Sequence, residues 1–111
     1  MPGLLGAGGT AKYKSATYTG SNGGSNNFTS NINVINLLGI PAKIAKKLSS
    51  GNFFGQVTNY NINRDHDYPN SSIACSIISY TPSTGILQVR CSGNYSEILI
   101  TRFQVHAVWV E

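Results

Sequence analysis

The sequence predicts an all-β domain: a small antiparallel β-sandwich, jelly-roll or immunoglobulin-like, with one short helix near residues 41–48. Three observations carry that expectation. Short segments rich in β-branched and aromatic residues recur along the chain, separated by clusters of turn residues, as in sandwiches. Charged residues are only 11% of the 111, and the polar quota is filled instead by 12 Asn, 13 Ser and 12 Gly, which favour turns. Hydrophobic residues make up 41%, and a chain of this length buries roughly two-thirds of its unfolded surface, enough for one core without staples.

The chain divides into an N-terminal arm, residues 1–11, and a single domain, residues 12–111. The arm is Gly-rich and carries Pro2, Leu4 and Leu5. Lys12 to Thr19 alternates around Tyr13, Thr17 and Tyr18 and reads as the first strand. Gly20 to Asn27 is a concentrated turn-or-loop signal. Phe28 to Ile35 reads as the second strand, with Phe28, Ser30, Ile32 and Val34 on one face. The period then changes: Ile40, Ile44 and Leu48 fall four apart, Pro41 suits a first helical turn and Ser49-Ser50-Gly51 a stop. About two turns of helix are expected there, with Lys43, Lys46 and Lys47 on the solvated side.

Asn52 to Ile62 reads as a third strand. Arg64 to Asn70 reads as a loop, because Pro69 cannot continue a central strand. Ile73 to Tyr80 and Ile86 to Ser92 form a hairpin across Thr81-Pro82-Ser83-Thr84-Gly85. Pairing Tyr80 with Ile86 sets Ser79 opposite Leu87, Ile77 opposite Val89 and Cys75 opposite Cys91. That register gathers Cys75, Ile77, Leu87, Val89 and Cys91 on one face and leaves Ser76, Ile78, Tyr80, Gln88 and Arg90 on the other. Ile98 to Val110 is one long apolar strand or a bulged pair, with Phe103, Val105, Ala107 and Trp109 inward and Arg102, Gln104 and His106 outward.

Several functional classes fall away. No apolar run approaches the roughly 20 residues of a membrane span, and the first ten residues lack the basic region of a signal peptide; synthesis in a cytoplasm is expected. The net charge of +4 comes from scattered cations, without the basic patch interleaved with aromatics that nucleic-acid binding uses. No phosphate-cradling loop, nucleophile elbow or zinc-protease motif is present, so no enzymatic activity and no cofactor are expected.

The candidate sites are correspondingly few. Asp65-His66-Asp67, followed by Tyr68, is the one dense titratable cluster; a solvated polar loop is the plain reading, a divalent cation or an oriented histidine the chemical ones. Cys75 and Cys91 form either a cross-strand disulfide or a pair of reduced core thiols, and synthesis in a reducing compartment favours thiols. No second Cys/His pair supplies metal-ligand spacing. His106 belongs to a polar outer strand face or to a subunit contact. The six tyrosines are half-buried sheet residues, or with Asn and Asp they stack on and hydrogen-bond a sugar, which makes a host-surface glycan the alternative partner.

Three stretches taken together, Lys14 to Gly20, Lys47 to Phe53 and Ile78 to Val89, are similar in order to small β-rich structural proteins of tailed bacteriophages and prophages, found in tail, baseplate or head appendages. The resemblance implies a non-enzymatic virion component that oligomerises, with copies of itself and other virion proteins as partners. Pro2 to Thr10 is the expected docking arm. Deleting residues 1–10 is expected to abolish assembly, read by native mass, while circular dichroism stays that of the intact domain.

Overall fold

The structure, a computed structural model, describes residues 9–19, 26–62 and 72–111. Residues 20–25 of the loop expected at 20–27, the loop expected at 64–70 and the arm through residue 8 lie outside the described residues, while Asn27 already belongs to a strand. Six strands, β1 (Ala11–Thr19), β2 (Asn27–Asn33), β3 (Phe53–Ile62), β4 (Ile73–Thr81), β5 (Ile86–Gly93) and β6 (Ile98–Val110), form two antiparallel three-stranded sheets. Sheet A has the order β1-β6-β3 and sheet B the order β2-β5-β4. The two pack face to face as the predicted sandwich.

The central strands are the two most apolar ones. From β6, Ile98, Ile100, Phe103, Val105, Ala107 and Trp109 point inward; from β5, Leu87, Val89 and Cys91 meet them. Tyr18 and Phe28 close on the Phe103 ring, with centroids 5.6 and 5.8 Å away. Removing such a ring from a packed core costs about 3–5 kcal/mol, a large part of a domain's total of about 5–15 kcal/mol. Two residues rather than one separate Ile100 from Phe103, so β6 changes face at Thr101–Arg102. β3 is irregular at the same place, between Val57 and Tyr60, and Thr101 Oγ1 donates to Asn59 O at 3.1 Å.

Three sequence expectations need correcting. The second strand stops at Asn33 rather than Ile35, because the Asn33 side chain accepts from the amides of Ile35 and Asn36 and starts a helix, α1 (Val34–Leu38). The helix expected at 41–48 is a single turn, α2 (Ala42–Ala45). Its apolar edge is nonetheless right: Ile40, Ile44 and Leu48 are all buried. The hairpin register holds at Cys75 opposite Cys91 and Ile77 opposite Val89, then slips at Ile78, so that Tyr80 faces Leu87 and Thr81 faces Ile86. The turn sets this end: Gly85, at φ +75°, donates its N–H to Thr81 O at 2.8 Å, so pairing begins one residue earlier than expected. A bulge at Ile78 absorbs the difference.

That bulge turns Tyr80 from the expected outer face to the inner one. Its ring packs on Phe53 at 4.8 Å between centroids, and its hydroxyl donates to Ala45 O at 2.5 Å. The helical segment is thereby tied to sheet B; Tyr18 Oη, donating to Leu37 O at 3.1 Å, ties it to sheet A. α1 touches both β1 and β2, whereas on the opposite side β3 and β4 lie directly against each other.

Burial raises the pKa of both phenols above the ordinary tyrosine value. The fold holds the neutral, donating form, so this stabilisation is complete below about pH 10 and is lost as pH rises through the raised folded value. Urea midpoints measured across alkaline pH should therefore be level and then fall. Tyr80→Phe should lower the plateau by about 1 kcal/mol and make the alkaline fall shallower.

Candidate functional site

The outer face of sheet A carries a cluster drawn from all three of its strands. The register sets Ser15 and Phe54 opposite His106, and Tyr13 opposite Val108; directly paired residues share a face. Phe54 stacks flat on the His106 imidazole, with centroids 4.5 Å apart and planes at 9°. Tyr13 stacks from the other side at 5.8 Å. His106 is thus only 8% exposed although it lies on the outside of the sandwich, while Tyr13 and Phe54 keep 55% and 50% of their surfaces open.

Hydrogen bonds fix the ring. The Tyr13 hydroxyl is hydrogen-bonded to Nδ1, and Gln56 Oε1, an acceptor only, takes Nε2–H at 3.2 Å. Gln104 Nε2 reaches Ser15 Oγ at 3.5 Å. The face is aromatic at one end, with Val108 beside Tyr13, and uncharged polar beyond it until Arg102. It meets the expectation that His106 faces outward, but two aromatic rings cover the imidazole rather than solvent.

A second feature lies at the seam where β3 meets β4. A cleft of about 380 Å³ is lined by Gly55, Gln56, Val57, Tyr60, Ile73, Ala74 and Cys75. Cys75 and Cys91 face each other across β4 and β5 as free thiols; Cys75 is half-buried and Cys91 fully buried. A hydrogen bond from the Cys91 thiol lowers the pKa of Cys75, burial opposes this, and the Gln56 backbone N–H adds to the lowering. Cys91 is pushed strongly up by that same bond, by burial and by the negative charge on Cys75. A side chain at residue 55 would force a shift, because a Cβ there would lie 2.4 Å from Cys75 Sγ.

The other residues singled out from sequence, Pro2, Leu4, Leu5, Asp65, His66, Asp67 and Tyr68, lie outside the described residues. Of the tyrosines, Tyr18 and Tyr80 are half-buried, as expected for sheet residues, Tyr95 is half-buried in the bend between β5 and β6, and Tyr13 and Tyr60 are exposed. Sequence reasoning missed Tyr13, Phe54 and Gln56 as companions of His106. The alternation of β6 exposes His106, but which residues of β1 and β3 stand beside it depends on long-range register. No three His, Cys, Asp or Glu side chains come together as a metal site among the described residues, and no described helix is long and apolar enough to cross a membrane. Comparison with protein families, with curated proteins and with solved structures finds no match to this chain.

Gly55→Ala should lower stability by about 1–3 kcal/mol through overpacking. Most of that loss should disappear in a Cys75→Ala background, where the opposing sulfur is gone. A double-mutant cycle of urea midpoints reads the coupling.

Proposed function

We propose that this chain is a non-enzymatic structural subunit that works by burying the outer face of sheet A against a neighbouring subunit. The observation that carries the reading is the exposed Tyr13 and Phe54 pair, held rigid on a hydrogen-bonded His106 and ringed by Val108, Gln56, Gln104 and Ser15. Interface cores are enriched in aromatic residues and depleted of charge, and every ion absent from such a face is one whose desolvation need not be offset. A ring fixed by its own neighbours also loses little conformational freedom on docking. The virion of a tailed bacteriophage, in a tail, baseplate or head appendage, is the particle that the resemblance in the sequence implies, with copies of this chain and other virion proteins as partners.

A second reading keeps the same face and changes the occupant. Phe54 presents an open aromatic surface flanked by the amides of Gln56 and Gln104, an arrangement suited to stacking on and hydrogen-bonding a host glycan.

Native mass over a concentration series separates the two. A structural subunit forms a discrete oligomer, and Phe54→Arg weakens it by about 2 kcal/mol, roughly thirtyfold in dissociation constant, without altering the circular dichroism. Assembly that ignores substitution at both Tyr13 and Phe54 overturns the assignment of this face. A strict monomer that binds glycans saturably, and loses them on Phe54→Ala, selects the second reading.

A further inference from the structure

The seam between β3 and β4 presents a different chemistry from the outer face, and four observations converge there. Cys75 lines an open cleft of about 380 Å³, within the range of small-molecule sites. Its sulfur lies where a side chain at residue 55 would otherwise be, 2.4 Å from the Cβ position that Gly55 leaves empty. It accepts hydrogen bonds from the Gln56 backbone N–H and from the Cys91 thiol. Cys91, its directly paired neighbour on β5, has no exposed surface at all. Cys75 is half-buried at the wall of the cleft and held by two donors, and Cys91 is fully buried beside it.

We propose that Cys75 and Cys91 form a dithiol–disulfide site, in which Cys75 attacks low-molecular-weight disulfides of the glutathione type from the cleft and Cys91 resolves the adduct. In the first step the Cys75 thiolate attacks one sulfur of the small disulfide; a Cys75 mixed disulfide forms and one small thiolate leaves. Cys91 then gives up its proton and attacks the Cys75 sulfur, expelling the second small thiolate. The protein dithiol is oxidised by two electrons to a Cys75–Cys91 bridge. The small disulfide is reduced to two thiols, which take up the two protons.

The division of labour follows from the geometry. The attacking sulfur must be reached from solvent and must exist as thiolate. Cys75 is the one of the pair that lines the open cleft, and its two donors favour the charged form. The resolving sulfur needs only to be next to the adduct, which the strand register guarantees for Cys91. Directly opposed strand residues hold their Cβ atoms ~4.5–5.5 Å apart, whereas a disulfide wants about 3.8 Å. Closing the bridge therefore draws β4 and β5 together, and strained bridges of this kind are the readily reduced ones. Such a site responds reversibly to the thiol–disulfide balance around the protein.

The test uses the full, reduced chain with oxidised glutathione under native conditions, followed by intact mass and by mapping of the modified cysteine. The wild type should pass through an adduct mapped to Cys75 and end two hydrogens lighter, with no glutathione retained. Cys91→Ala should stop at the Cys75 adduct, and Cys75→Ala should stay unmodified until urea exposes Cys91. Early quenching of the wild type maps the first adduct without either variant, which keeps the test valid if Cys91→Ala fails to fold. A wild type that stays unmodified while folded, a first adduct on Cys91, or a Cys75 adduct that persists without bridging would each overturn the proposal.

Discussion

Among the described strands, β5 and β6 alone have hydrogen-bonded neighbours on both sides, and the contact between their inward faces is what the other elements depend on. Phe103, Val105, Ile98 and Ile100 meet Leu87, Val89 and Cys91 with almost no exposed surface. Each buried Phe, Ile, Leu or Val contributes about 1.5–3 kcal/mol by leaving water, and Ile32, Val34, Leu38, Ile40, Ile44, Leu48 and Phe53 extend the same core from the outer strands and the helical segment. The outer strands gain their place by pairing with this core. β1 and β3 flank β6, and β2 and β4 flank β5, so any displacement of the central pair would move both features of the surface. The low charge content fits this arrangement: two layers of three strands leave few inward positions where an ion could remain solvated.

Much of this was legible because period-2 alternation reports directly on which side chains leave water. The inward sets of β5 and β6, the buried edge of Ile40, Ile44 and Leu48, and the pairing of Cys75 with Cys91 all follow from it. The misplaced features are local competitions that alternation cannot express. Asn33 ends its strand because its side chain satisfies two amides at a helix start, while Val34 remains buried whether in strand or helix, so burial alone gave no warning. Tyr80 faces inward because a bulge at Ile78 reconciles the turn with the cysteine register. An apolar residue beside a Tyr reads equally well on either face until the partner strand is known.

The outer-face cluster was illegible for a different reason. His106 could be placed on the polar side of β6 from its neighbours Gln104 and Arg102, but its environment is made by Tyr13, 93 residues away, and by Phe54 and Gln56. Sheet A pairs β6 with the first and third strands, skipping its sequence neighbours β4 and β5. A nearest-neighbour reading of strand order would have put different residues beside the imidazole. Non-local pairing thus created the aromatic face from residues that, taken singly, look like ordinary solvated strand positions.

One short stretch of β3 serves both sides of sheet A. Phe54 points outward onto His106, Gly55 points inward against Cys75, and Gln56 points outward again, accepting from His106 Nε2–H while its own backbone N–H donates to Cys75. A strand's side chains alternate but its amide groups lie in the sheet plane, so an edge strand can hold a ring on one face and offer an N–H across its open edge. β3 can do so because it is the edge of sheet A and because Gly55 lets β4 approach closely. Gln56 thus joins the two features of sheet A, through its side chain to His106 and through its backbone N–H to Cys75.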